Sequence, residues 1–171
     1  MSLQTVTRPL GILPNVSLTS NQLRKVRAIE SYDLWFVVER LKQDGTIEPY
    51  LIDEVITEFK RYMALVALEH KGLAMISRKI DAVWHSFILF TFEYQHFCKQ
   101  VFGKFIHHAP QTSRESLPLQ TRENFIHAYN KIFGELPLVW DNEDTESAEE
   151  NGGAFSAISG LPTDCGSGFV A

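Results

Sequence analysis

The sequence predicts an all-α fold, and three observations carry that prediction. Apolar residues recur at helical spacing through about four to five segments, Gly and Pro fall where those segments would start and stop, and no segment shows the alternation of a half-buried strand. The 171 residues are 44% hydrophobic and 22% charged, enough apolar content for one bundle with a real core. The expected organisation is an extended arm over residues 1–16, a helical bundle over 17–140 and a flexible tail over 141–171.

In chain order, Pro9, Gly11 and Pro14 punctuate a segment with no period, which reads as a surface arm. Thr19 or Ser20 can cap a helix running to Ile29. Leu34, Trp35, Val37, Val38 and Leu41 then mark a helix stopped by Asp44-Gly45, either continuous with the first or separate from it. From Pro49 to Leu68, Leu51, Ile52, Val55, Ile56, Phe59, Tyr62, Met63 and Val66 define another apolar face, with Pro49 tolerated in the first turn. Ser77 as N-cap and Gly103 as a left-handed stop bracket a long central helix of about 25 residues. Its main stripe is Ile80, Val83, Trp84, Phe87, Thr91, Tyr94, Cys98, Val101 and Phe102. Asp81, His85, Leu89, Phe92 and His96 fall on a second, partly apolar face, so this helix is expected at the centre with neighbours on several sides.

A connector with His107, His108 and Pro110 follows, and Pro118 introduces a helix from Leu119 to Phe133 that Gly134 closes. Pro137 and Trp140 read as a strap returning a large aromatic to the bundle. From Asp141 the chain turns acidic and then glycine-rich. That tail offers too little apolar area to offset its chain entropy and is expected to be disordered.

The candidate chemistry centres on histidine. Asp81 and His85 are four apart on one helical face, the spacing of two metal ligands or of a carboxylate orienting its histidine; a plain hydrogen-bonded pair is the competing reading. His107 and His108 form a second candidate site, with capping of the last helical carbonyls as their alternative role. If the central helix is unbroken, His85 lies about 25 Å from its end and the residues from Gly103 to His107 reach only about 14 Å. The two candidate sites then cannot share one ion unless the helix breaks or a second chain contributes. Cys98 sits mid-stripe and reads as a small buried hydrophobe; His96 and His127 read as solvated.

The run Asp81, Trp84, His85, Leu89, Thr91, Tyr94, Phe97, Cys98, Gly103, His107, His108, Pro110 resembles the bacterial relatives of the plant glycine-rich domain-containing proteins. Glu58-Phe59-Lys60-Arg61-Tyr62 and the stretch from Tyr129 to Pro137 with Trp140 extend that resemblance over roughly Glu58 to Trp140. It implies Trp84, Tyr94, Cys98 and Gly103 as the core of a family motif, and no reaction. The Gly152 to Gly168 segment is similar to the glycine-rich tails of that family, with Cys165 alone in it.

The formal charge of −5 argues against a phosphate-driven partner, two cysteines imply no disulfide framework, and no apolar run is long enough to span a bilayer. A cytoplasmic protein without a membrane partner is expected. With no phosphate-binding glycine loop, nucleophile elbow or paired-cysteine knuckle, an enzyme is disfavoured. The leading reading is a non-catalytic helical interaction module with a protein partner. Binding of a metal, with zinc as the cofactor, through Asp81 and His85 or through His107 and His108 is the alternative. RNA binding, which the resemblance links only to regions this chain lacks, comes third.

Overall fold

The computed structural model describes residues 8–108 and 119–141. The expected acidic and glycine-rich tail beyond Asp141, Cys165, Pro110 and Pro118 lie outside these residues. Six α-helices and three single 3-10 turns make up the described chain, which has no β-strand among the described residues. The class is all-α, as the spacing predicts.

Local chemistry sets the helix ends. In α1 (Ser20–Ser31) the Gln22 backbone N–H donates to Thr19 Oγ1 at 3.2 Å while the Thr19 N–H donates to Gln22 Oε1 at 2.9 Å, a reciprocal capping box. α2 (Trp35–Asp44) is separate from α1, divided by the non-helical residues 32–34, and Gly45 ends it at φ 63°. Pro49–Leu51 forms one 3-10 turn leading into α3 (Ile52–Ala67), whose first turn carries Asp53 and Glu54 against the positive end of the helix dipole. α3 is the most enclosed element: ten of its residues are buried, among them the consecutive run from Tyr62 to Ala67, and α1, α2, α4 and α6 pack around it.

The expected 25-residue helix is two helices. α4 (Arg78–Leu89) and α5 (Thr91–Phe102) meet at Phe90, whose φ −86° and ψ 69° are not helical and whose N–H bonds Phe87 O. Neither Gly nor Pro causes this break. The run from Phe87 to Phe92 is aromatic, β-branched or leucine throughout, mostly middling helix formers, and packing decides the rest. Phe87 and Phe97 would be about 15 Å apart along a straight helix. Their ring centroids are 5.3 Å apart, and Phe90 sets its ring edge-on to Phe36 at 4.8 Å. Two expectations fail around the break: Thr91, expected on the main stripe, is exposed at the joint, and Leu89 and Phe92, expected on a second face packed by neighbours, are exposed.

The remaining pieces close the core. α6 (Leu119–Phe133) packs on α3, and the 3-10 turn Leu138–Trp140 is the expected strap: Trp140 is buried, 4.5 Å from the Phe125 ring. Residues 8–16 are not an extended surface arm. Pro9–Gly11 forms a 3-10 turn, Leu10 and Ile12 are buried, and Leu13 N–H bonds Ile132 O at 2.9 Å. Burial of two apolar side chains outweighs the absence of periodicity there. Leu10 adopts φ 55°, held by its N–H to Glu30 Oε1 at 2.8 Å and its carbonyl to Arg61 Nε at 3.0 Å.

Candidate metal centre

Ser77 fixes where α4 begins, because its Oγ accepts the Ile80 N–H at 3.4 Å and donates to Val139 O at 2.8 Å. From that start Asp81 and His85 share a face, with His85 Nδ1 3.5 Å from Asp81 Oδ2. Trp84, between them in sequence, turns the other way and is fully buried.

His108 joins them from the far side of the break. α5 ends at Gly103, φ 75°, a left-handed residue with open space around it, and the chain runs back toward α4 through the non-helical residues 104–108. Ile106 buries its side chain, and its carbonyl accepts the Tyr94 hydroxyl, which in turn accepts the Trp84 Nε1–H at 3.0 Å. Two residues later the His108 ring stacks on the Trp84 indole, centroids 4.4 Å apart at 24°. His108 Nε2 then lies 2.8 Å from His85 Nε2 and 3.3 Å from Asp81 Oδ1. The His108 side chain is 3% exposed, Asp81 14% and His85 51%, so the cluster is anchored inside and opens on the His85 side.

Of the four residues expected to offer metal ligands, the structure therefore brings three together. One ligand atom from each of Asp81, His85 and His108 can be chosen so that all three lie within 4.8 Å of one another. His107 stands apart, exposed, with its ring 4.9 Å from Phe105. Neighbouring side chains of an extended segment point to opposite sides, so only one of the two adjacent histidines can face α4. The condition set for the two candidate sites to approach each other, a break in the central helix, is met at Phe90, while the expectation of an unbroken helix is not.

The local chemistry suits a cation. Asp81 Oδ1 is inaccessible to solvent and accepts no hydrogen bond among the described residues; His108 Nε2 is near it but not in hydrogen-bonding geometry. Two imidazole nitrogens 2.8 Å apart can be reconciled by one shared proton or by an ion between them. Donor atoms on a tetrahedral zinc ion sit about 3.3 Å from one another, given zinc–nitrogen bonds of about 2.0 Å. The two separations in which His108 Nε2 takes part, 2.8 Å to His85 Nε2 and 3.3 Å to Asp81 Oδ1, lie close to that spacing.

The other sequence candidates fall elsewhere. Cys98 is buried on α5, and burial pushes its thiol pKa up, as suits an unreactive core residue. His96 and His127 are exposed. Sequence reasoning placed Tyr94 and Trp84 in the core without the hydroxyl-to-indole bond, for which a one-dimensional pattern has no signal.

An all-α bundle with a carboxylate and two imidazoles gathered from one helix and a later connector is the class of protein that fold and cluster define. Residues 24–132 match the model of the UCP032817-like family, which is more than half of the chain, and the chain belongs to that family. The matched span contains Asp81, His85 and His108. This corrects the resemblance to glycine-rich domain-containing proteins, to which nothing in the comparisons points. The residues that carried it, such as Trp84, Tyr94, Cys98 and Gly103, are core and turn positions of this fold. No curated protein matches the chain, and no solved structure does.

Proposed function

We propose that this protein binds a divalent transition metal, zinc by donor type, through Asp81, His85 and His108. One observation carries the reading: a solvent-shielded carboxylate oxygen with no hydrogen-bond donor among the described residues faces two imidazoles from residues 23 positions apart. Burying such an oxygen costs free energy that a bound cation offsets. Nitrogen and carboxylate donors suit zinc, and three protein ligands leave a position for water or a further ligand.

Elemental analysis of untagged, natively purified protein, with titration of zinc into chelator-treated protein, tests this. Expected are one metal per chain, its loss in His85→Ala and His108→Ala, and its retention in His107→Ala. Metal-free protein that zinc neither binds nor stabilises overturns the reading.

A second reading, the helical interaction module, is favoured by a specific surface. Trp35, Leu89 and Phe92 are well exposed, and Trp35 leads through edge contacts with Phe36 to Phe90 at the α4–α5 joint. Pull-down with wild-type and with Trp35→Ser/Phe92→Ser tests it; an unchanged set of captured proteins counts against it. Among the described residues no helix is long and apolar enough to cross a membrane. A cytoplasmic location belongs with these proposals, supported by the absence of a cysteine framework. RNA binding stands third and predicts salt-sensitive retention of RNA.

A further inference from the structure

Residues 103–108, which lead from α5 to His108, are not helical, yet His108 must meet Asp81 and His85 on α4. We propose that the Tyr94 hydroxyl is the positioning group of this centre, fixing the His108 segment against α4 so that the three ligands are gathered before any ion arrives. This rests on the metal-binding reading and assigns a role to a residue that touches no ligand atom.

The bond polarity is determined. An indole N–H only donates and a backbone carbonyl only accepts, so the Tyr94 hydroxyl takes the Trp84 proton and gives its own to Ile106 O. One oxygen thus ties α4, α5 and the connector together, two residues from His108. The same indole supports the His108 ring from beneath. All three contributors, Trp84, Tyr94 and Ile106, are buried. Burial also drives the Tyr94 pKa well above its ordinary value, so the clamp keeps its proton across the working pH range.

Tyr94→Phe keeps the ring, which packs edge-on to Phe87 at 5.1 Å, and removes only the clamp. It leaves the buried Trp84 N–H without its acceptor, takes one donor from Ile106 O and frees the chain that aims His108. Groups that orient metal ligands are worth about 10–100-fold in affinity, and a loss of that size is expected for zinc. Tyr129→Phe is the control, because it deletes a buried hydroxyl from a different cluster, bonded to Glu58 at 2.6 Å. That variant should lose stability and keep its zinc affinity.

The experiment is zinc titration of wild-type, Tyr94→Phe, Trp84→Phe and Tyr129→Phe, each shown folded by circular dichroism. Nitrogen-15 histidine spectra of the same proteins are taken without metal. Expected is weaker zinc binding in Tyr94→Phe, with Trp84→Phe in the same direction should Tyr94→Phe not fold, and a shifted or broadened His108 signal with His96 and His127 unmoved. Equal affinity in wild-type and Tyr94→Phe, with an unchanged His108 signal, overturns the positioning role alone. Absence of zinc binding by wild-type overturns the metal reading itself, and an unperturbed His108 in that case removes the clamp as well.

Discussion

Two carboxylates on neighbouring helices have opposite surroundings. Glu58 on α3 is 2% exposed and saturated: Oε1 accepts from Arg61 Nη1 at 2.8 Å, and Oε2 accepts from the Tyr129 hydroxyl at 2.6 Å and Trp140 Nε1 at 2.7 Å. Arg61 also donates to the Tyr129 hydroxyl at 2.9 Å and lies over the Phe133 ring, so the buried charge is paired and fully hydrogen-bonded. Asp81 on α4 has one oxygen without a donor among the described residues, and its neighbours are the His85 and His108 imidazoles. A saturated carboxylate can only lock structure. An unsaturated one, partly open and faced by two nitrogen bases, has capacity left for something that is not part of the chain.

The contrast can be broken by experiment. Glu58→Ala should have the largest effect, about 3 to 5 kcal/mol in urea unfolding, because it strands the Arg61 charge with two more buried donors. A change below about 1 kcal/mol would mean that this cluster is not a lock. Trp84→Ala should cost a similar 3 to 5 kcal/mol, roughly, from its cavity. It should also abolish zinc binding, which Glu58→Ala in its folded fraction should not.

Next in size is the gain on adding metal. Zinc at a hundredfold excess over its dissociation constant should stabilise wild-type by about 2.7 kcal/mol and leave Asp81→Asn where it was. Without metal, Asp81→Asn should cost no more than about 1 kcal/mol, the worth of an acidic side chain in the first turn of a helix. A loss near that of Glu58→Ala would erase the distinction between the two sites.

The smallest effect is one of pH. Burial first, then the positive charges of Lys131 and His127, hold the His70 pKa below its ordinary value. The folded state therefore binds this proton less readily than the unfolded one. The stability is fully present above about pH 6.5 and is lost as pH falls through the window below it. His70→Gln should flatten that part of the midpoint-against-pH curve; an unchanged slope would place the titration elsewhere.

Helix ends were the most legible part of this chain, because caps are local chemistry: Thr19, Ser77, Gly45, Gly103 and Gly134 all sit at the ends expected. The core stripe was legible because Ile80, Trp84, Phe87, Tyr94 and Cys98 keep helical spacing on either side of the break. The break itself was not legible. It is set by rings distant in sequence, Phe36 against Phe90 and Phe97 against Phe87, and no breaker residue announces it. Two of the three residues of the cluster followed from the i,i+4 spacing of Asp81 and His85. The choice of His108 over His107 depended on the break, on the Trp84 stack and on the direction of the connector, all of which are tertiary.

The strap has a consequence for the order in which the protein is made. Tyr129 and Trp140, which satisfy the Glu58 carboxylate, lie 71 and 82 residues after it. During synthesis Glu58 emerges long before its partners, and folding from the N-terminal end cannot close the network around it until residue 140 has been added. Until then α3 carries a carboxylate that water must keep solvated, so its enclosure by α6 and the strap is a late event. A chain released short of Trp140 would meet quality control with Glu58 Oε1 held by Arg61 and Oε2 still short of its indole donor.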